Sequence, residues 1–547
     1  MNTNYQSIFG FTIGPIYEMM RSAKKTRELW FSSYFFSWYA KLFCDKLTSD
    51  YKLILPIIDK IKLPKRPRAG FYPDHIIGYS SKPVEDTKKE LEDWANQITN
   101  DFAKWIDELI TIEKLPKMGG SKSVLEIINA YLQTSIVVIN KDGINDDLTA
   151  LNTIEDLLFA CEKNRNYSLG ENKQTCYRCK SLSSVVKVEE TFDKPDKEYN
   201  LCPLCFFKLR AHKSTELLKL VNFRKKKPYP PIAYITTKDL HEIKEYVEIN
   251  KKLFTGEAED LEKKYFKRHV NGKEVCDLKT HHKYLAIVYA DGDDLGKILS
   301  QKKNPSLLSK KLSEFSIEAY KIGAKYGVEP IYLGGDDLLV FMPVVYKERT
   351  IFDYIIELQK LYTKIVTIDE LTPSISFGVG ITYYKYPLSI ALDDTRDLLF
   401  ITAKNIPGKN SLVLQLTQHS GAKTRINFSF SDDTITIFNK FLTEVLQSEK
   451  SGKKIHPHAV HHKLSYFKTL LTNVNNVEQI HEFFLNQFNE PIHKTMDGLT
   501  IVKTLLIENI SSKNDKGETI LYLKKELEKG FKNFLGQIKF IKFLIGE

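Results

Sequence analysis

The chain has 547 residues, with 80 lysines and arginines against 69 aspartates and glutamates, a formal net charge of +11. It is too long for one ordinary domain, its hydrophobic fraction of 42% is that of a folded protein, and no uninterrupted apolar run is long enough to span a bilayer. The first residues carry no basic stretch ahead of an apolar one, so no signal peptide is expected and the cytoplasm is the default compartment. The basic excess suits contact with nucleic acid or nucleotides without requiring it.

In chain order, Ser7–Ile13 reads as a buried strand that Gly14-Pro15 ends. A long helix is expected from about Ile16 to Leu47, with Arg21, Lys24, Lys25 and Arg27 early in it. Tyr51–Ile58 reads as a second strand and Phe71–Ile77 as part of a third, which together suggest a ferredoxin-like unit. Residues 84–165 look mainly helical. Cys176-Tyr177-Arg178-Cys179 and Cys202-Pro203-Leu204-Cys205, twenty-two residues apart, match a four-thiolate zinc site. All four positions are thiolates, so the zinc is expected to be structural, holding a segment too polar to fold on its own core; a redox CxxC is the alternative that the matched pairs disfavour. The other three cysteines, Cys44, Cys161 and Cys276, are scattered. The basic run Lys208–Lys227 suits either an RNA backbone or a solvated helix face. Residues 240–282 read as a charged helical connector.

The next stretch carries the chemistry. Tyr284–Ala290 is a predicted buried strand ending in Asp291-Gly292-Asp293-Asp294. After a helical stretch, Ile331–Phe341 reads as a hairpin whose turn is Gly334-Gly335-Asp336-Asp337. In a ferredoxin-like unit the end of the first strand lies beside this hairpin, so Asp291 would face Asp336 and Asp337. Adjacent carboxylates repel, and three of them converging would hold Mg²⁺ or Mn²⁺. Taken alone, GGDD is also an ordinary turn, since Gly and Asp are common there. Helices are expected at about Arg349–Val366 and Pro387–Lys404, with strands at Ser374–Ile381 and Ser411–Leu416. Lys404 and Lys409 can reach a triphosphate, or can simply complement a helix C-terminus. From about residue 425 the chain reads as a Lys/Glu-rich helical bundle, with Phe438, Phe441, Leu442, Val445 and Leu446 at helical spacing. His456, His458, His461 and His462 cluster here; metal binding is one reading, and surface loop residues the favoured one, since no acidic or Cys group accompanies them.

Phe11–Glu18, Ala23–Trp30 and Ser33-Tyr34 closely resemble the first palm of the large subunit of type III CRISPR effector complexes, in the Cmr (III-B) branch. The double-CxxC module, the Tyr289–Asp293 strand end, the GGDD hairpin and Ala403-Lys404…Gly408-Lys409-Asn410 follow in the family's order. The second palm is also similar to diguanylate- and adenylyl-cyclase catalytic domains. The resemblance implies an α+β chain with two ferredoxin-like palms, a zinc-binding insert and a C-terminal helical bundle. The domain boundaries are then 1–165 (first, degenerate palm with a helical insert), 166–282 (zinc and linker), 283–420 (second palm) and 421–547 (helical).

The resemblance further implies a nucleotidyltransferase acting on ATP when the complex, built from Cmr-type subunits and guide RNA, binds target RNA. Asp291, Asp336 and Asp337 would hold two Mg²⁺ or Mn²⁺ ions, with Gly292, Gly334, Gly335, Lys404 and Lys409 around the nucleotide. The implied product is a cyclic oligoadenylate; some relatives are thought to join AMP to S-adenosylmethionine instead. Two departures bear on this. The family often opens with a His-Asp nuclease domain, whereas here no His-Asp dipeptide occurs and nuclease chemistry is not expected. Tyr17 stands where relatives usually have Gln. A catalytically idle scaffold and a stand-alone cyclase are the competing readings. Clustered acids argue against the first, and the zinc module and helical tail against the second.

Overall fold

The computed structural model describes residues 5–64, 67–118, 122–163, 174–189, 198–210, 229–302, 304–451, 457–488, 498–514 and 517–546. In the first sheet, β1 (Ser7–Gly14) is buried along its whole length, with Phe9, Phe11 and Ile13 fully inaccessible. Each such side chain contributes about 1.5–3 kcal/mol of burial. The strand is central because it pairs with β3 (Ile76–Ser80) on one side and β4 (Gln133–Asn140) on the other, while β2 (Tyr51–Leu55) sits at the β3 edge. The order is therefore β2-β3-β1-β4.

The expected single helix after Pro15 is two helices, α1 (Ile16–Arg21) and α2 (Thr26–Lys46). Ser22 ends the first by donating from its hydroxyl to the Met19 carbonyl at 2.9 Å. α3 (Val84–Ile112) and α4 (Val124–Tyr131) pack with the face that carries Phe9 and Phe11, and α5 (Asp147–Lys163) covers the opposite face against Ile8 and Gly10. The reading of residues 84–165 as mainly helical thus misses β4, whose core Ile136-Val137-Val138-Ile139 is β-branched throughout.

The cysteine module is a short hairpin, β5 (Val186–Glu189) with β6 (Glu198–Leu201), followed by α6 (Pro203–Arg210). It is pinned to the first unit. Arg178 pairs with Glu28 of α2, both almost fully buried; Arg210 pairs with Glu113 at 3.2 Å; and Phe207 packs edge-on against Phe31 and Phe102. The basic run beyond Arg210 lies outside the described residues, as does His456. The connector is less helical than expected, since it includes the hairpin β7 (Lys267–Val270) and β8 (Lys273–Cys276).

The second sheet has the order β10-β11-β9-β12-β13-β14. Its strands are β9 (Tyr284–Gly292), β10 (Glu329–Gly334), β11 (Asp337–Pro343), β12 (Ile375–Tyr383), β13 (Ser411–Thr417) and β14 (Lys423–Ser429). The helices α7 (Leu295–Lys302), α8 (Pro305–Gly323), α9 (Ile351–Val366) and α10 (Leu388–Asp397) connect them. The first four strands in that order repeat the pattern of the first sheet. β14 carries the sheet past residue 420: Thr424, Ile426 and Phe428 are buried in strict alternation with exposed neighbours.

The tail beyond it is mostly helical, and Phe438, Phe441, Leu442 and Val445 of α11 (Thr434–Ser451) are buried as their spacing predicts. Among the described residues no helix is long and apolar enough to cross a membrane. The two sheets meet where Leu333 donates its amide to the Gly70 carbonyl at 3.2 Å, so the loop before β3 runs along β10.

Candidate active site

The GGDD turn is a two-residue hairpin loop. Gly334 pairs with Asp337, leaving Gly335 and Asp336 at the corner. Gly335 has φ of +69°, and Asp336 stays outside the left-handed region. That combination is the type II′ pattern, which matches strand twist and calls for glycine at the first corner position. A side chain at Gly334 would strike the Tyr332 hydroxyl, 2.0 Å from an ideal Cβ, whereas nothing lies within 4 Å of one at Gly335. The turn is held from behind by Ser316, whose hydroxyl donates to the Gly335 carbonyl at 2.9 Å.

Register brings the third acid alongside. Leu338 pairs with Ala290, and Asp291 follows as the partner of Ser376 on the other side. The structure therefore places Asp291 beside Asp336 and Asp337. Burial, and then the charge of Asp291, pushes the Asp336 carboxyl up to about 7. Asp337, although an exposed residue, is raised too, by the protein packed around its carboxyl and then by Asp291 and Asp336. The three carboxylates do not yet form a set with one oxygen each within 4.8 Å of one another, as the four cysteine sulfurs do. Crowded acids that resist ionisation fit a divalent cation, which supplies the charge they lack.

Lys404 does not point into open space. Its ammonium sits 2.5 Å from Asp291 Oδ2 and 2.8 Å from Asp293 Oδ1, and it donates to the carbonyls of Asp291 and Gly292. A π-turn at Leu398–Thr402 followed by a 3₁₀ turn at Ala403–Asn405 swings it beneath the strand end. Lys409 pairs with Asp294 at 2.7 Å.

Asp293 has a role the sequence did not single out. It accepts hydrogen bonds from Ser374, Ser376 and the Asn410 amide, tying β9 to β12 and β13. Two tyrosines were also not foreseen: Tyr362 lies under Gly292, and Tyr289 is a partly buried residue on β9 whose hydroxyl is enclosed. Tyr17 of α1 donates to Asp393 of α10 and stacks under Arg396 at 4.7 Å, joining the first unit to the second.

The first sheet has its own version of this corner. There Ile76 and Ile136 pair with Phe11, as Leu338 and Phe377 pair with Ala290. Thr12 thus stands where Asp291 does, and Asp74-His75 stand where Asp336-Asp337 do. Thr12 donates to Glu162 of α5 at 2.8 Å, and His75 Nε2 lies 3.3 Å from the same oxygen. The charge of Asp74 contributes to the raised pKa of Asp337, so this corner faces the hairpin.

In the cysteine module all four sulfurs lie within 4.8 Å of one another, and Cys179 Sγ is 3.8 Å from Cys202 Sγ. Four sulfurs about 2.3 Å from a tetrahedral zinc are about 3.8 Å apart, so the four residues can hold zinc as they stand. Lys180, at φ +60°, and its amide on the Cys176 carbonyl at 3.0 Å complete the first knuckle. Among the described residues the tail histidines form no group of three or more that can hold a metal ion.

Residues 284–413 match the family model for the second palm domain of Cas10/Cmr2, and residues 8–111 match that for the N-terminal region of the CRISPR-associated protein Cmr2. The CRISPR system Cmr subunit Cmr2 of Pyrococcus furiosus is 30% identical over 200 residues, 31% of this chain. The match spans only 22% of that relative's length. Among solved structures, the type III-B Cmr-beta complex superposes with a TM-score of 0.57 both in its apo state and bound to cognate target RNA. Identities are 13% and 14%, over 87% and 88% of this chain and 76% and 78% of those chains, a likeness of fold. The Cmr2 N-terminal region and the Cas10/Cmr2 second palm are thus matched in order on one chain, with a Cmr2 protein as a sequence relative, and the chain is similar to the Cas10/Cmr2 subunits of CRISPR Cmr systems.

Proposed function

We propose that this chain is the large subunit of a type III-B effector complex, working in the cytoplasm with other Cmr-type subunits, guide RNA and target RNA. In this reading its second palm transfers the adenylyl group of ATP with release of pyrophosphate. The observation that carries it is the meeting of Asp291 with Asp336 and Asp337 at one strand end, where burial and then the charge of Asp291 raise the Asp336 and Asp337 carboxyls. Mg²⁺ or Mn²⁺ bound there would lower the pKa of an attacking 3′-hydroxyl and neutralise the triphosphate. The chain's own residues do the rest. Asp336 and Asp337 orient the reacting end, the bare backbone at Gly335 leaves room for the nucleotide, and Lys404 offsets the charge of Asp291 and Asp293. Gly292 and Gly334 keep side chains out of the corner, and Lys409 stands at its rim on Asp294.

The first sheet is then a degenerate palm, the zinc module its structural brace, and the helical tail a docking element for neighbouring subunits. The preferred product is a cyclic oligoadenylate. A second reading, adenylation of S-adenosylmethionine at the same carboxylates, gains support from one observation. The corner facing the hairpin carries the negative charges of Asp74 and of Glu162, the latter bonded to Thr12 and His75, and this charge favours a cationic acceptor over a second triphosphate.

The test is labelled ATP with Mg²⁺ or Mn²⁺, the assembled complex and matching target RNA, with and without S-adenosylmethionine, beside an Asp336→Ala/Asp337→Ala control. A product from ATP alone that the control lacks supports the oligoadenylate. A product formed only with S-adenosylmethionine supports the second reading. No product under any condition leaves a scaffold.

A further inference from the structure

Two tyrosines on α9, Tyr354 and Tyr362, bury hydroxyls that find no partner among the described residues. A buried unpaired hydroxyl carries a desolvation cost that phenylalanine, filling the same space, would avoid. Tyr354 lies away from the acids. Tyr362 lies under them: its ring is fixed edge-on to Phe315 at 4.8 Å, and its hydroxyl reaches up beneath Gly292. An ideal Cβ on Gly292 would lie 2.3 Å from that hydroxyl and 3.2 Å from Asp336 Oδ2, so the two oxygens are no farther apart than one bridging water spans. The negative charges of Asp336, Asp291 and Asp293 all bear on this hydroxyl, after its own burial, and keep it protonated.

We propose that Tyr362 is a positioning residue for the divalent cation of the second-palm carboxylates, its hydroxyl donating to Asp336 through one water and fixing which carboxylate oxygen is left for the ion. This rests on the carboxylate site proposed above. A ligating carboxylate whose other oxygen is hydrogen-bonded is held in one rotamer, and loss of such a support typically costs about tenfold or more in metal affinity. A neutral donor suits the place, because it brings no charge to compete with the ion, as an ammonium would. It also accounts for Gly292, where any side chain would strike both groups.

The test is Mn²⁺ binding to the full chain, read by the electron paramagnetic resonance of free Mn²⁺, together with thermal melts in a chelator. Four proteins are compared: wild type, Tyr362→Phe, Tyr354→Phe and Asp336→Asn. The expected result is about tenfold weaker Mn²⁺ binding in Tyr362→Phe, with a cation-free melting temperature at or above wild type, while Tyr354→Phe binds as wild type does. Equal Mn²⁺ affinity in Tyr362→Phe and wild type, with Asp336→Asn impaired, overturns the inference alone and leaves the hydroxyl an unsatisfied core atom. Wild-type binding that Asp336→Asn does not weaken, or no binding at all, overturns the carboxylate site and the inference together.

Discussion

In the second sheet the strand end and turn carry Asp291, Asp336 and Asp337; at the matching places of the first stand Thr12, Asp74 and His75. The strand order is the same, and β1 and β9 are both central and buried from end to end or nearly so. The scaffold therefore does not decide the chemistry. What differs is a strand-end carboxylate in one sheet and a hydroxyl in the other, and a two-residue glycine-led turn against the longer approach from Gly70 to His75. In the second sheet the negative charges are crowded and only partly offset by Lys404. In the first, Glu162 is already engaged by Thr12 and His75. The second-sheet acids are crowded around a single lysine, whereas Asp74, His75 and Glu162 of the first sheet already bring one ligand atom each within 4.8 Å of one another.

The sharpest way to break the comparison is at Asp291. Asp291→Thr gives the second sheet the residue of the first. It is expected to lower adenylyl transfer about 10³-fold or more, since metal stabilisation of the transition state is worth several kcal/mol. Steady-state rates with labelled ATP in the assembled complex measure this. Thr12→Asp, the reverse exchange, is expected to create no activity, because the turn opposite it lacks the glycine-led hairpin.

Zinc removal separates the sheets by stability. The cysteine module docks on α2, α3 and the segment before them through Arg178, Arg210, Phe207 and Lys208, all contacts with the first unit. Cys176→Ser is expected to lose the zinc, counted by elemental analysis, and to lower the melting temperature by about 10 °C, because a structural zinc contributes folding free energy outright. Amide exchange is expected to rise mainly over residues 7–140 and much less over 284–417. Equal acceleration of both regions would mean that the two sheets unfold as one body.

A smaller effect is expected at the facing corner. Asp74→Asn with Glu162→Gln removes two negative charges from the first sheet and leaves the second-sheet acids in place. If the acceptor is cationic, its KM is expected to rise about tenfold with little change in kcat, the pattern of lost uniform binding. An unchanged KM for S-adenosylmethionine, or an improved rate with ATP alone, would instead favour the oligoadenylate.

Local signals were readable in the sequence and distant ones were not. Two CxxC pairs and a GGDD turn each concentrate their chemistry within four residues; the structure brings the four sulfurs within 4.8 Å of one another and makes the GGDD stretch a hairpin turn. β4 and β14 were read as parts of helical regions although Ile136–Ile139 and the Thr424/Ile426/Phe428 alternation carry strand signals; the charged helices around them masked these. The match between Asp74-His75 and Asp336-Asp337 has no sequence signature at all, because it exists only through register with Phe11 and Ala290. The same holds for Tyr362, one of several apolar-face positions on its helix until β9 is laid across it.

The smallest expected effect concerns stability, and it reverses the usual sense of a catalytic substitution. The Asp336 carboxyl, raised to about 7 by burial first and Asp291 second, holds its proton more tightly in the folded chain than in the unfolded one. Its contribution to stability is full below the ordinary carboxylate pKa and is lost as pH rises through the folded value. Cation-free wild type is therefore expected to melt progressively lower between about pH 4 and pH 8, relative to Asp336→Asn, which has no proton to lose. The variant should gain a few degrees at the upper end and nothing at the lower. Saturating Mn²⁺ should raise the wild type and leave the variant nearly unmoved, because only the wild type regains, through the bound ion, the charge balance that ionisation takes away. The corresponding change in the first sheet, Asp74→Asn, is expected to show no such Mn²⁺-dependent crossing.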